Sequence, residues 1–303
     1  MLTDRHPALV AALWMTGALF SFMAMAISGR ELSQDFTTFQ ILFFRSLVGV
    51  VLIGALVARS ASGWSQLKTQ RSGGHLARNI AHFGGQYGWF YGLAFIPLAE
   101  VIAIEFTTPI WTALLAWVLL GEKLTLPRLT TLVFGISGLL LILRPGMGSL
   151  HPAALAVLAG AFGYALSFIQ TKSLSSTETP LCILFYMTMM QLPFGMVPAL
   201  MDWKTPELHS LPWIALVAVT AMSAHYCMAR AFKLADATVV VPMDFMRLPL
   251  IAVVGYLFYE EVIDWPVAVG AALMLAGNLI NIRAEHRKAP LRSAAIRAPQ
   301  SPE

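Results

Sequence analysis

Charged residues are scarce in this chain. Only 12% of its 303 residues are Asp, Glu, Lys or Arg, whereas 57% are hydrophobic and the mean hydropathy is +0.70. A soluble domain carries roughly 25% charged residues and cannot bury an apolar majority. This composition excludes a soluble globular enzyme, a disordered chain and a nucleic-acid binder. The net charge of +4 comes from basic residues in a polar tail and in short gaps between apolar runs, as at a membrane surface.

Cysteine and enzyme motifs are also lacking. Two Cys in the whole chain exclude a disulfide scaffold and a Cys-rich metal site. No G-x-x-x-x-G-K-[ST] phosphate loop is present, so we expect no ATP hydrolysis by this chain, and no H-E-x-x-H helix indicates a zinc protease. We therefore expect neither a cofactor nor a resident metal.

Long apolar runs are what the chain has instead. A membrane-spanning helix needs about 20 mostly apolar residues to cross roughly 30 Å of hydrocarbon. Ten such runs occur, at about 8–28, 36–58, 78–96, 99–120, 127–144, 152–171, 179–201, 210–230, 236–259 and 265–284. The sequence therefore predicts an all-α integral membrane protein with ten transmembrane helices.

The distribution of Lys and Arg predicts the orientation. With ten spans, fourteen Lys and Arg fall on the side that holds the N-terminus and three fall on the other side. Positive charge accumulates on the cytoplasmic side of membrane proteins. We therefore expect a multi-pass protein of a bacterial-type inner (cytoplasmic) membrane, with both termini in the cytoplasm. We expect the polar tail, 285–303, to be disordered on that side.

An internal repeat is visible at an offset of 139 residues. The aligned non-apolar pairs are Glu105 with Asp244, Glu122 with Glu261 and Pro127 with Pro266. Each half, 1–146 and 147–284, would hold five spans, an odd number, so the second half must enter the membrane in the opposite orientation. Two inverted five-helix repeats, with substrate held between them near the midplane, are an architecture of secondary transporters.

The ends of the repeats carry a family resemblance. The relevant segments are Tyr91-Gly92-Leu93-Ala94-Phe95-Ile96-Pro97-Leu98-Ala99, Gly121-Glu122-Lys123-Leu124, Ala229-Arg230-Ala231-Phe232-Lys233-Leu234-Ala235-Asp236-Ala237-Thr238 and Glu260-Glu261-Val262. They resemble the EamA-type, ten-helix members of the drug/metabolite transporter superfamily. The resemblance covers about 8–284 and implies two inverted five-helix repeats. One departure is Glu260, where the family often has glycine.

The resemblance also indicates a function. Phe43-Phe44-Arg45 and Ala235-Asp236-Ala237-Thr238 resemble importers of S-adenosylmethionine and of riboflavin. This implies secondary transport of a small organic metabolite by alternating access, the substrate being S-adenosylmethionine, riboflavin or an amino-acid-like compound. An exporter of metabolites or drugs is the alternative within the family. The expected partners are this small molecule and the lipid bilayer, without nucleic acid, and the sequence leaves open a coupling proton and a homodimer.

Ionisable residues inside predicted spans are costly and mark pathways. Asp244 and Arg247 are three residues apart and share a helix face, where they either neutralise each other for packing or line the cavity. Arg45 needs a carboxylate from Glu105 or Asp244, or an anionic group of the substrate. A different class of function would be an intramembrane enzyme that uses Glu105 and Asp244 as paired acids.

The third span carries a polar stripe. Arg78, His82 and Gln86 are spaced four residues apart and fall on one face, either as a packing interface or as a wetted path. Polar groups on the sixth and eighth spans, such as Tyr164 and His225, can bind substrate or hold helices together. The expected substrate pathway comprises Arg45, Arg78, His82, Gln86, Tyr87, Glu105, Tyr164, His225, Asp244 and Arg247.

Overall fold

The computed structural model describes residues 7–120, 125–144, 151–234, 243–262 and 264–297. Throughout these ranges the regular structure is helical, which confirms the predicted all-α class. The helices are α1 (Pro7–Asp35), α2 (Thr38–Arg59), α3 (Ser72–Phe95), α4 (Leu98–Glu105), α5 (Thr108–Leu120), α6 (Leu126–Leu143), α7 (Pro152–Leu174), α8 (Pro180–Ala199), α9 (Leu211–Leu234), α10 (Arg247–Tyr259) and α11 (Trp265–Arg297). Short 3-10 helices occupy Gly63–Leu67 and Leu200–Asp202.

Six helical segments are long and apolar enough to cross a membrane. They are Val10–Asp35, Thr38–Arg59, Leu98–Leu119, Pro152–Leu174, Pro180–Asp202 and Leu211–Met228. Three further apolar helices are shorter, at Leu129–Leu143, Arg247–Tyr259 and Trp265–Ile280. Helix α3, with 24 residues, is long enough to cross a membrane but is not among these six helices, and its sequence carries the polar stripe of Arg78, His82 and Gln86. The structure thus supports a membrane protein, while the count of ten spans stays a prediction.

Turns interrupt the helices of the fourth and ninth apolar runs, which hydropathy did not predict. A turn at Phe106-Thr107 separates α4 from α5, and a turn at Phe245-Met246 precedes α10. Proline follows closely in both places, as Pro109 and Pro249. Proline lacks an amide hydrogen and is tolerated in the first turn of a helix rather than in its interior. The two breaks lie 139 residues apart, and the rings of Phe106 and Phe245 meet there at 4.1 Å between centroids.

Four pairs of helices make the main contacts: α1 with α9, α2 with α8, α3 with α7, and α6 with α11. Small residues bring the backbones together. A Cβ atom added to Gly163 of α7 would lie 2.7 Å from the carbonyl oxygen of Ala81 in α3. Lipid tails are as apolar as the side chains of a membrane helix, so the hydrophobic effect does not drive helices together inside a membrane. Close packing of this kind is therefore a main source of helix association.

Two helix ends bear on the expectations from the sequence. Helix α11 continues to Arg297, and the disorder expected of the tail, 285–303, stays a prediction. Helix α10 ends at Glu260 with φ of 55°, a left-handed conformation that glycine adopts most readily. Glycine, which the resemblance implies at this position, would adopt this conformation without the strain that Glu260 bears. The predicted motif segments 121–124 and 235–238 lie outside the described residues.

Candidate functional site

Arg247 lies at the junction of the two helix breaks and binds two carboxylates. Its Nη2 atom is 3.0 Å from Asp244 Oδ2 and 3.3 Å from Glu105 Oε1. Trp89 Nε1 donates to Glu105 Oε2 at 2.8 Å. The side chain of Arg247 is only 6% exposed. The spacing of Asp244 and Arg247 thus produces the pair expected from the sequence, and Glu105 joins it from the first half of the chain.

Aromatic rings flank the same guanidinium group. Arg247 lies 4.6 Å from the ring centroid of Phe22 and 5.2 Å from that of Phe106. A cation over an aromatic face is stabilised by the quadrupole of the ring. Phe22 and Phe106 thus hold Arg247 from directions that the carboxylates leave free. Sequence reasoning missed this role of Phe22, because a phenylalanine in an apolar helix gives no signal of its own.

A second polar group lies along the stripe of α3. Gln191 of α8 approaches His82 Nδ1 at 3.0 Å and donates to Asn79 Oδ1 at 3.3 Å. Arg78 donates from Nη1 to Asn79 Oδ1 and from Nε to Thr171 Oγ1, each at 3.0 Å. The predicted stripe therefore faces neutral side chains of α7 and α8. Arg78 is buried rather than extended to the membrane surface, and Thr171 was missed because an isolated threonine fits many roles.

His225 connects the two polar groups. Its ring lies 6.4 Å from His82 and 5.6 Å from Phe22, centroid to centroid, and Phe22 in turn contacts Arg247. Tyr164 packs edge-on against His82 at 5.6 Å. These contacts bring side chains from both halves of the chain into one continuous interior region.

Arg45 is the exception in this region. It is 3% exposed, and its Nε atom has no hydrogen-bond partner. No carboxylate in the described ranges forms a salt bridge with it, because the two expected acids bind Arg247 instead. Its charge lies within electrostatic range of His82, Tyr164 and His225. Arg45 therefore contributes a buried positive charge beside the polar stripe.

Gln86 and Tyr87, the remaining two residues of the predicted pathway, have different surroundings. Gln86 is buried, and its Oε1 atom has no hydrogen-bond partner within the described structure. Tyr87 lies in an aromatic cluster instead, 4.6 Å from Phe39 and 5.9 Å from Tyr91 between ring centroids. The structure thus places Gln86 inside the bundle and Tyr87 outside the polar network described above.

Glu261 joins elements at one end of the bundle. Arg30 of α1 binds Glu261 Oε1 at 2.5 Å, and Glu261 Oε2 accepts from the backbone N–H of Leu98, at the start of α4, at 2.8 Å. The latter bond satisfies one of the free amides at a helix N-terminus. This geometry supports a structural role for the acid that closes the ninth run. Its repeat counterpart, Glu122, lies outside the described residues.

Known proteins share this sequence pattern and fold. The model of the EamA-like transporter family matches residues 9–144 and again 151–283. An S-adenosylmethionine uptake transporter of Rickettsia bellii is 26% identical over 274 residues, covering 90% of this chain and 94% of that protein. A riboflavin transporter of Vibrio cholerae is 29% identical over 280 residues, covering 89% of this chain and 92% of that protein.

A solved crystal structure shares the fold. It has a TM-score of 0.64 at 17% sequence identity and covers 91% of this chain and 98% of that one. The family model matches most of the sequence, in two segments that together include all the helices of the site. The chain belongs to the EamA-like transporter family.

Proposed function

We propose that this protein carries a small organic metabolite with an anionic group across the bacterial cytoplasmic membrane, by alternating access between two halves. Arg45 carries this proposal. A buried guanidinium group without a carboxylate partner is costly in a membrane interior. A carboxylate of the substrate would form two parallel hydrogen bonds with it and remove that cost. Family membership makes the chain a transporter and sets aside an intramembrane enzyme.

The proposed halves are inverted repeats, 1–146 and 147–284. Contacts between α6 and α11 support this symmetry. Gly138 packs against Gly270, and Thr131 donates to the carbonyl oxygen of Gly277 at 2.8 Å. Adding 139 residues to Thr131 and Gly138 gives Gly270 and Gly277, so the two contacts exchange when the halves exchange. The shared break positions in the fourth and ninth runs support the same pseudo-twofold relation.

Contacts between loops support ten spans that alternate in direction. Thr69, after the second run, donates to Glu178, after the sixth run, at 2.6 Å. Asp35, after the first run, binds His209, after the seventh run, at 2.9 Å. If the spans alternate in direction, the loops after even-numbered runs lie on one side of the membrane and those after odd-numbered runs lie on the other. The first contact joins two loops after even-numbered runs and the second joins two segments after odd-numbered runs, which agrees with this arrangement. The excess of Lys and Arg then assigns the N- and C-termini to the cytoplasm.

The substrates named for two relatives differ in the group that Arg45 would bind. One relative is named for uptake of S-adenosylmethionine and another for transport of riboflavin. S-adenosylmethionine bears an α-carboxylate, whereas riboflavin bears none. Arg45, which pairs with no carboxylate of the described residues, therefore favours S-adenosylmethionine or an amino-acid-like compound for this chain. The aromatic ring of Tyr164, close to His82, would pack against the apolar part of such a substrate.

The proposed movement centres on Arg247. Glu105 and Asp244 hold it from opposite halves at the two helix breaks. A proton taken up by either carboxylate would remove one ionic contact and free that helix end to move, which would couple transport to the proton gradient. Uptake should then lose its pH dependence in Glu105→Gln or Asp244→Asn. Unchanged pH profiles in both variants would refute the coupling.

Uptake into proteoliposomes provides the decisive experiment. Labelled S-adenosylmethionine and riboflavin are compared as substrates of the wild-type chain, Arg45→Gln and Arg59→Gln. Arg59 is a matched control, because it lies on the same helix but is exposed. We expect saturable uptake of S-adenosylmethionine, with the KM raised at least about tenfold in Arg45→Gln, since a charged hydrogen bond contributes about 1.5–3 kcal/mol. Equal KM values in all three proteins would overturn the role of Arg45, and uptake of riboflavin alone would overturn the substrate class.

A further inference from the structure

Three potential metal ligands meet at the bundle end where the loop between α2 and α3 contacts the loop between α7 and α8. His75 lies in the first turn of α3, Glu178 lies in the loop before α8, and Cys182 lies in the first turn of α8. One ligand atom from each of these side chains lies within 4.8 Å of the others. None of the three residues belongs to the predicted substrate pathway, although the hydrogen bond of Glu178 with Thr69 supports the proposed topology.

His75 is the most informative member of this group. Its side chain is fully buried, and neither Nδ1 nor Nε2 has a hydrogen-bond partner in the described structure. Buried polar nitrogens are almost always paired, and leaving one unpaired costs about 1–3 kcal/mol. The ring of Tyr186 stacks on His75 at 4.4 Å, which fixes the plane of the imidazole. A ligand on one of the ring nitrogens would account for this arrangement.

We propose that His75, Glu178 and Cys182 bind a divalent transition-metal ion, with Zn²⁺ as the ion that the donor set fits best. An imidazole nitrogen, a thiolate and a carboxylate are common zinc ligands, and three protein ligands leave a fourth tetrahedral position for water. The thiolate and the carboxylate supply two negative charges, which balance the ion. This site was not predicted from the sequence, because His75 lies more than a hundred positions before Glu178 and Cys182 and the three residues match no metal-binding motif.

The bonds already present show how the ion would enter. The thiol of Cys182 donates to Glu178 Oε2 at 3.3 Å, and Thr69 donates to Glu178 Oε1 at 2.6 Å. Metal binding replaces the thiol proton by a sulfur–metal bond and releases that proton to solvent. Thr69 keeps its bond and orients the carboxylate, as outer-shell partners of metal ligands do. Glu178 is the partly exposed member and provides the route from water.

The site would link the two halves of the chain. His75 belongs to the first half, whereas Glu178 and Cys182 belong to the second. Zinc–ligand distances of about 2.0–2.3 Å suit ligand atoms that lie close together, and Cys182 Sγ is already 3.3 Å from Glu178 Oε2. A bound ion would bridge the ends of α3 and α8 and oppose their separation at this end of the bundle.

Metal stoichiometry tests the site directly. The full-length protein, purified in detergent without an affinity tag, is incubated with Zn²⁺, freed of excess metal by gel filtration and analysed for bound zinc. We expect one zinc per wild-type chain, loss of zinc in Cys182→Ser and Glu178→Gln, and full binding in Cys227→Ser. Cys227 is the matched control because it is the other cysteine of the chain.

Absence of zinc from the wild-type protein, or full binding in Cys182→Ser, would overturn the proposal. Equal loss of zinc in Cys227→Ser would do the same. Co²⁺ in place of Zn²⁺ provides a second readout, because thiolate coordination produces a charge-transfer absorption that a structural change alone does not. Glu178→Gln keeps the test valid if Cys182→Ser fails to fold, since Glu178 lies in a loop.

A transport measurement tests the proposed link between the halves, which in this respect rests on the proposed function. Uptake by proteoliposomes is measured with and without Zn²⁺ for the wild-type chain and Cys182→Ser. We expect inhibition by Zn²⁺ in the wild type only. Zinc binding with unchanged uptake would overturn the link but leave the metal site, whereas uptake of no substrate by any variant would instead contradict the transport proposal.

Discussion

Two buried arginines in this protein have opposite surroundings. Arg247 is held by Glu105 and Asp244 and lies between aromatic rings. Arg45 is equally buried, but no carboxylate in the described ranges pairs with it. A matched charge in a membrane interior stabilises one arrangement of helices, whereas an unmatched charge favours an incoming anion. The two arginines therefore share residue type and burial, and the neighbouring carboxylates in the described ranges distinguish them.

The sequence around each arginine explains the difference. Asp244 is three residues from Arg247, and the turn after Glu105 places that acid at the same junction. The surroundings of Arg45 are different. Helix α8, the main packing partner of α2, has no acidic residue between Pro180 and Ala199. Helix α8 therefore offers Arg45 no counter-ion.

Arg247→Gln should have the largest effect on stability. It leaves two buried carboxylates without their cation, and breaking a buried pair in this way costs about 3–5 kcal/mol. We expect a low yield of folded protein and a lower Tm in detergent. Replacing all three groups, as Glu105→Gln, Asp244→Asn and Arg247→Met, should restore much of the Tm. A single Arg247→Gln variant with wild-type Tm would contradict the structural role assigned to this residue.

Glu105→Gln should have a smaller effect, about 1–3 kcal/mol. The amide oxygen of glutamine can still accept the hydrogen bond from Trp89, and Asp244 still binds Arg247. We expect a Tm between those of the wild type and Arg247→Gln. Urea or thermal unfolding monitored by Trp fluorescence provides the measurement. A loss as large as that of Arg247→Gln would mean that Asp244 alone does not neutralise the arginine.

Arg45→Gln should lower the unfolding free energy by less than about 1 kcal/mol, or raise it, because it removes an uncompensated buried charge. The same variant is expected to lose affinity for substrate, as described above. Arg45→Gln should therefore lose function without losing stability, whereas Arg247→Gln should lose stability. A marked fall in Tm on Arg45→Gln, measured without substrate, would show that Arg45 has a structural partner.

His209 and Asp35 form an exposed ion pair that should show the smallest effect. The hydrogen bond with Asp35 raises the pKa of His209 above its ordinary value of 6.5. A raised pKa in the folded state adds stability that is fully present below pH 6.5 and is lost as the pH rises through the folded pKa. The Tm of the wild type should therefore exceed that of His209→Gln at about pH 5 and converge with it at about pH 8. A difference in Tm between the two proteins that stays constant from about pH 5 to about pH 8 would contradict an ionic origin of this stabilisation.

Spacing along single helices was predictable from the sequence. The common face of Arg78, His82 and Gln86 follows from helical periodicity. The sequence also predicted the pair of Asp244 and Arg247, but it placed both on one helix, whereas the structure has a turn at Phe245-Met246 between them. The break at Phe106 was not predicted, because an apolar run gives a continuous hydropathy signal through a turn. Pro109 was the available clue, but a proline in a membrane span is often tolerated without a break.

Contacts between distant segments were not predictable in the same way. The sequence allowed Arg45 to pair with Glu105 or Asp244, and only the folded chain shows that Arg247 binds both. The same holds for His75, whose neighbours Glu178 and Cys182 lie far along the chain. Neither local propensity nor hydrophobic periodicity encodes such distances.

The sequence by itself determined that the protein is helical and apolar, that it has the internal offset of 139 residues, and that its family is one of transporters. It also determined which ionisable groups lie inside the apolar runs. The tertiary structure decided which of those groups neutralise one another and which stay unpaired. The physical reason is that hydropathy acts on each segment separately, whereas ion pairing depends on distances of a few ångströms between side chains on different helices.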